Sequence, residues 1–401
     1  MSAMHTFHNP EEVIKRSVVM VDPTQYQNES YDIHFAYGDD IGGSRTQQDR
    51  VKVMLSPDNK IVLLFVGDGH GMEGEVASET AKDTIEIEFS MNYLEAYSNP
   101  TSFLKQIIMN THASIKENII KKFDRLGNPC HVHPTTGALF HDIHFTRSIH
   151  GGTTITVVMI INDSMYCGNL GDSKASLYSL DSCFLPTHKI DTVREIESIV
   201  NDDSITPTNF LDLIGDHSVE NISEYIRMLK FRPSASDPTK PMMEFLYDKN
   251  LKPVFSTDAE GALVVTGQGS YYKNVSKEFA TLVCAPNNCM LAFTRSSGDF
   301  SLSEFGLSHE PDIFVIDIKS IMSETDLVMG VVASDGVWDN MTDTDVHSFI
   351  THSSCIDALA SEDGIRRVAS SFLVRNNLLA KRNFGNSADN ACAIVFSITK
   401  K

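Results

Sequence analysis

VKVMLSPDNKIVLLFVGDGHG, residues 51–71, carries the reading of the fold. Two β-rich runs flank a Pro-Asp-Asn turn, which is the pattern of a β-hairpin. The second run is apolar at nearly every position and reads as a buried strand. It ends on Asp68, which is followed at once by Gly69. A carboxylate at the end of a buried strand is costly unless something pairs with it. Three more aspartates repeat the arrangement: Asp172 in MYCGNLGDSKASLY, Asp335 in LVMGVVASDGVWD and Asp389 in GNSADNACAIVF. Each taken singly also suits a plain turn cap, the common use of Asp-Gly after a strand. Four carboxylates from distant points in the chain suggest one shared partner, and a divalent cation is the simplest one. Mg²⁺ and Mn²⁺ are hard ions that prefer carboxylate, carbonyl and water oxygens.

Outward from that hairpin the pattern alternates between strand pairs and helix pairs. Ser17 to Val21 reads as a short edge strand within a polar arm, residues 1–30. Glu73 to Tyr97 and Ser102 to Leu126 show helical spacing, with Leu104, Ile107, Ile108, Ile115 and Ile119 on one face of the second. TTITVVMII, NDS and MYCGNLGDSKASLYSL give a second hairpin, and a helix over Asp363 to Leu379 precedes a last strand, ACAIVFSI. Strict βαβ alternation is absent, so the fold class is α+β, with mostly antiparallel sheets packed on each other and covered by helices. Residues 31–401 read as one domain, interrupted by an irregular, proline-containing flap or insertion within 181–290 that holds short helical pieces such as VENISEYIRML and a strand pair at PVFST and GALVV.

The chain has 401 residues, 41% of them hydrophobic, enough for a large core. A net charge of −20 argues against nucleic acid as the main ligand, since phosphate-backbone binding needs excess Lys and Arg. Seven cysteines, without close zinc-ribbon spacing, fit a reducing compartment. The N-terminal stretch MSAMHTFHNPEEVIKRS has no apolar core of a secretory signal. No apolar run approaches the roughly 20 residues that a membrane span needs. A soluble cytoplasmic or nuclear monomer is the expectation.

Seven elements in order then carry a resemblance: SRTQQDR (44–50), VGDGHG (66–71), GGTTITVV (151–158), GNLGDSK (168–174), LAFTRSSGDF (291–300), ASDGVWD (333–339) and SADN (387–390). Together they resemble the metal-dependent PPM protein phosphatases, the type 2C class, from about residue 35 to the end. The resemblance implies a four-layer α-β-β-α sandwich that hydrolyses phosphoserine and phosphothreonine in phosphoproteins, using two and up to three Mg²⁺ or Mn²⁺ ions. It implies that Asp68 bridges two ions, with the Gly69 carbonyl as a further ligand, and that Asp335 and Asp389 complete the pair. It implies that Asp49 acts through water and that Asp172 joins Asp335 in a weaker outer site. His70 would protonate the leaving oxygen and Arg45 would hold the phosphate, a task suited to the guanidinium fork. This chemistry needs no cysteine nucleophile.

The chain departs from the family pattern at Gln48, where an acidic residue is usual, and in the spacing of Arg45, one residue closer to Asp49 than is common. These departures and the long 181–290 region motivate an alternative, a pseudophosphatase that keeps the fold as a scaffold or regulatory binding module. Arg295 reads either as a second phosphate contact or as a salt-bridge partner, Asp299 as a residue that shapes its loop, and Trp338 as packing behind the site. His131, His133, His141, His144 and His150 cluster in sequence but lack the spacing of a zinc site.

Overall fold

A computed structural model describes residues 18–20, 24–27, 30–180, 183–184, 189–191, 208–231, 242–352, 355, 358–359 and 361–401. The chain opens with β1 (Val18–Met20), β2 (Thr24–Gln27), β3 (Tyr31–Asp40), β4 (Arg50–Leu55) and β5 (Ile61–Gly67). A helical hairpin follows, α1 (Gly74–Ser98) and α2 (Pro100–Arg125). Asn99 caps the second helix, its side chain accepting from the Ser102 amide, and Pro100 takes the first helical position, where a missing N–H costs nothing. Next come β6 (Ile155–Ile161), β7 (Ser164–Leu170), β8 (Lys174–Ser179), β9 (Lys189–Asp191), β10 (Phe210–Asp212) and α3 (Ile222–Lys230). Short strands β11 (Glu244–Tyr247), β12 (Phe255–Thr257), β13 (Leu263–Val265), β14 (Thr281–Cys284) and β15 (Met290–Leu291) lead to β16 (Asp312–Asp317) and β17 (Leu327–Ala333). The chain ends with α4 (Asp335–Trp338), α5 (Asp343–Ile350), α6 (Glu362–Phe384) and β18 (Ala391–Lys400).

Two antiparallel sheets form the centre. One runs β1-β3-β18-β17-β8-β10, with β2 also paired to β3, and the other runs β9-β16-β7-β6-β5-β4. The continuous apolar runs are explained by burial on both faces. In β5, Val62, Leu64 and Val66 enter the core between the sheets, while Ile61, Leu63 and Phe65 pack under α1 and α2. In β18, Ile394, Phe396 and Ile398 face the other sheet, while Ala393 and Val395 pack under α5 and α6. The result is the α-β-β-α sandwich. Gly330 in β17 makes room for Phe396: a Cβ there would strike the ring.

Within 181–290, the helix at VENISEYIRML is α3 and the strand pair at PVFST and GALVV is β12–β13, and further short strands surround them. Residues 242–291 build two small antiparallel sheets, β11-β14-β15 and β12-β13. They share a core in which Met243, Phe245 and Tyr247 meet Val219, Met228, Leu302 and Phe305. Strands of two to four residues are too short to show a period, and part of their apolar core comes from elsewhere in the chain. Residues 181–182, 185–188, 192–207 and 232–241 lie outside the described residues.

Gly330→Ala is expected to lower stability by about 1–3 kcal/mol, since an added carbon in a filled core forces neighbours off their rotamers. A urea midpoint equal to that of the wild type would show that Phe396 has room to move.

Candidate functional site

Register brings the aspartates together. Arg50 pairs with Gly67, Ile155 with Leu170, Lys174 with Ala333, and Ala333 with Ala393. Asp49, Asp68, Asp172, Asp335 and Asp389 each lie within a few residues of one of these pairs, so they gather at one end of the sandwich. Between β7 and β8 the chain crosses from one sheet to the other at Gly171, whose φ of +98° is in the range that glycine tolerates. A Cβ at Gly171 would also come within 2.6 Å of Thr154 Cγ2.

Each aspartate is held locally. Asp68 exchanges bonds with Thr154: the Asp68 amide donates to Thr154 Oγ1 at 3.1 Å, and the Thr154 amide to the Asp68 carbonyl at 2.8 Å. Gly69 is buried against the Gln48 and Gly74 carbonyls, leaving no space for a side chain. Ser334 Oγ donates to Asp49 Oδ2 at 2.7 Å and accepts from the Cys392 amide at 3.0 Å, tying β17, β18 and the Asp49 loop into one knot. Asn390 accepts from the Gln48 amide at 2.8 Å and donates to the Ile41 carbonyl at 2.9 Å, which fixes exposed Asp389 beside that loop. Gln48, the departure from the family pattern, donates through Nε2 to the Gly71 carbonyl at 3.0 Å and so braces the turn after His70.

The carboxylates raise one another. Burial pushes the Asp68 carboxyl well above its ordinary range, and Asp335, Asp49 and Asp172 push further. Asp335 is raised in the same way, by burial and then by Asp172, Asp339 and Asp389. Burial lifts Asp49 to about 7 against the Ser334 hydrogen bond, and lifts Asp339 to about 7 against the pull of Lys273. Asp172 is raised by burial although Lys273 opposes it. Two such carboxylates side by side, Asp68 and Asp335, favour a proton or a cation between them. Asp172 Oδ1 and Asp335 Oδ1 are buried without a hydrogen-bond partner. Among the described residues, no three His, Cys, Asp or Glu side chains already stand in ligating geometry. The donor set is nevertheless all oxygen, mutually repelling and partly unsatisfied, which fits hard divalent cations.

His70 stands beside this cluster. Its Nε2 lies 2.7 Å from Asp299 Oδ2, which also accepts from Ser296 Oγ at 2.7 Å. A small sheet of Gly69–His70, Gly152–Thr153 and Ser297–Gly298 brings the two residues together. Burial lowers the basicity of His70, but the Asp299 charge and hydrogen bond outweigh it and the net shift is upward. His70 Nδ1 is buried without a partner. Asp299 is thus more than a loop-shaping residue; its signal in sequence was its place in the SSGD tract. Asp339, in the ASDGVWD element, joins the cluster as well. Arg45 is exposed on the loop between β3 and β4, with no ion pair among the described residues.

Arg295 resolves as a salt-bridge partner. It is buried, bonding Glu224 at 2.6 and 3.0 Å, Asp312 at 2.8 Å and the Glu310 carbonyl at 2.9 Å. The same network reaches the site: His217 Nε2 lies 3.2 Å from Asp312 Oδ2, and Nδ1 accepts from the Gly171 amide at 3.0 Å, one residue before Asp172. Trp338 donates to the Ala333 carbonyl at 3.0 Å, lies under the Lys174 ammonium and lines the cavity that Asp172 and Asp335 also line, so it is not behind the site. In the histidine-rich tract, His133 packs edge-on to Phe145 and His150 pairs with Ser148 at 2.8 Å. A cavity of about 710 Å³ opens beside Asp172 and Asp335, running under the loop that carries Lys273.

The Protein phosphatase 2C family profile matches residues 56–228 and 277–371. The chain belongs to the Protein phosphatase 2C family. The matched segments contain Asp68, Gly69, His70, Asp172 and Asp335, and leave out Arg45, Asp49 and Asp389. Two Arabidopsis thaliana proteins are similar. "Probable protein phosphatase 2C 52" is 22% identical over 307 residues, 71% of this chain and 50% of that one. "Probable protein phosphatase 2C 65" is 29% identical over 149 residues, 36% of this chain and 35% of that one. The chain thus spans half or less of the length of these curated relatives. The serine-threonine phosphatase 2C crystal structure from Toxoplasma gondii covers 96% of this chain and 98% of its own, with a TM-score of 0.54 at 17% identity, a likeness of fold.

Burial alone would raise Glu224, yet the hydrogen bonds and charge of Arg295 hold its carboxyl down at about 2. Its contribution to stability is therefore present above the ordinary glutamate range and lost as pH falls towards 2. Glu224→Gln is expected to cost about 3 kcal/mol near neutrality, because it leaves a buried guanidinium short of charge. Chemical denaturation should show that deficit shrinking from pH 5 to pH 3; a deficit independent of pH would remove the ionic explanation.

Proposed function

We propose that this chain is a divalent-metal-dependent protein phosphatase acting on phosphoserine and phosphothreonine. The observation that carries the reading is the convergence of mutually repelling carboxylates from separate strand ends beside an aspartate-held histidine. Asp68, the Gly69 carbonyl, Asp335 and Asp389 would hold two Mg²⁺ or Mn²⁺ ions, with Asp49 acting through water and Asp172 at a weaker outer position. When bound, such ions supply charge neutralisation and an activated water for attack on phosphorus.

The protein's own groups do the rest. Asp299 holds Nε2 of His70 and favours the imidazolium, so the Nδ1 proton is the one available to the leaving seryl or threonyl oxygen. Arg45, exposed and unengaged, would take two phosphate oxygens in its planar fork. Ser334, Thr154 and Asn390 keep the carboxylates in place when the repulsion between them is greatest. Asp49, Asp68, Asp172, Asp335 and Asp389 are all present despite the change at Gln48, which favours turnover over a scaffold role. Phosphoproteins are the substrate class, and a monomer suffices for the site as described.

Mn²⁺-dependent phosphate release from a phosphothreonine peptide should be close to abolished in Asp68→Asn and Asp335→Asn. Activity that persists in both variants and in excess chelator would overturn the reading. His70→Ala should slow the peptide reaction by about 10²–10⁴-fold, the usual span for lost general-acid help, and an activated aryl phosphate far less. Equal losses on the two substrates would deny His70 the role of acid. Asp299→Asn should follow the same substrate-dependent pattern with a smaller loss.

A further inference from the structure

We propose that Lys273 is a tethered cation that occupies the outer acidic pocket and competes there with a divalent ion. The proposal rests on the metal-dependent reading above and concerns what that reading leaves open, the state of the pocket around Asp172 and Asp339.

Lys273 belongs to a tight hairpin-like loop. Tyr272 and Phe279 form a bridge, the Lys273 amide donates to the Glu278 carbonyl at 2.8 Å, and the Ala280 amide to the Tyr271 carbonyl at 3.0 Å. The tip of this loop is fastened to the core beside the site, where the Val275 amide donates to the Asp339 carbonyl at 3.2 Å. The Lys273 side chain lines the same cavity as Asp172, Asp335 and Asp339. Its direct partner is Glu278, 3.2 Å from Nζ, on the same loop. Burial opposes its charge, yet Asp172, Glu278 and Asp339 together hold it protonated more firmly than an ordinary lysine.

The other lysines of that cavity are engaged elsewhere. Lys174 is bound between Asp343 at 2.7 Å and Asp212 at 3.0 Å, and Lys189 donates to the Ile214 carbonyl at 3.1 Å. Lys273, itself paired with Glu278, adds its charge to the wall of the cavity that Asp172 and Asp339 also line. It does so from the stretch, residues 229–276, that the family profile skips. An ammonium ion and a hydrated divalent cation cannot both neutralise the same carboxylates in a confined space, so occupancy by one weakens the other. The insertion thereby senses the cation load of the site, and its loop is released from the pocket when a further ion enters.

Mn²⁺ binding, read by the loss of free-ion electron paramagnetic resonance signal, tests this without an activity readout. Lys273→Met should bind one more Mn²⁺ than the wild type, or bind the weakest ion at least tenfold more tightly. Lys273→Arg should behave like the wild type, and Asp172→Asn added to Lys273→Met should erase the gain. Binding curves that superimpose for wild type and Lys273→Met overturn the proposal. If the wild type binds no Mn²⁺ in a manner that Asp68→Asn abolishes, the metal-dependent reading itself fails. A measurement on the unaltered protein covers a misfolded variant: mass spectrometry after brief acetylation should find Lys273 less modified than Lys277, with its reactivity rising as Mn²⁺ is raised into the millimolar range. Lys273 reactivity indifferent to Mn²⁺ would equally overturn the proposal.

Discussion

Like charges forced together at one end of a sandwich set the terms for everything around them. Asp68 and Asp335 are raised by burial and by other acids of the cluster, Asp172 is raised by burial, and two of their oxygens have no partner. A cluster of this kind costs stability unless cations or protons relieve it. The sandwich tolerates it because the loops that carry the acids are stitched together by neutral groups. Ser334 joins β17 and β18 to Asp49, Thr154 clamps Asp68, and Asn390 joins the Asp389 loop to Gln48. Apart from the Asp49 end of the Ser334 bond, raised to about 7, none of these bonds titrates near neutrality, so most of the frame holds its shape whatever the charge state of the cluster.

A second layer of support is ionic. The chain Glu224–Arg295–Asp312–His217 is buried end to end and finishes on the amide of Gly171, next to Asp172. It links α3, at the border of the insertion, to the turn where the chain passes between sheets. Buried ion pairs are poor sources of net stability, but they impose geometry because every alternative leaves a charge stranded. Here the imposed geometry is that of a glycine turn presenting a carboxylate, and it ties the insertion to the site from one side. Lys273 and Val275 tie it from the other.

Much of the frame was legible in the residues. The hairpins of β4–β5 and β6–β7 and the paired helices α1 and α2 follow from apolar runs, turn residues and helical spacing. Others were hidden. Tyr31–Asp40 is a central strand of one sheet, yet His34, Gly38 and its acids break the apolar pattern; the buried His34 faces Ser397 across the ladder. Asp312–Asp317 escaped for a similar reason, with an aspartate at each end, one of them engaged by Arg295. Of the short strands of the insertion, β12 and β13 were legible in PVFST and GALVV, while β11, β14 and β15 carry no period long enough to read.

The amino-acid sequence by itself determined that several strand-end aspartates need a common partner, and the order of its motifs pointed to a type 2C sandwich. Those statements depend on local pattern and on the cost of burying charge, both of which are properties of short stretches. Only the tertiary structure decided the pairings between stretches far apart. It assigned Asp299 to His70, committed Arg295 to Glu224 and Asp312, gave Gln48 a bracing role, and brought Lys273 into the cavity of the acids. Each of those outcomes is set by strand register and loop path, where a shift of a single residue would change the partner.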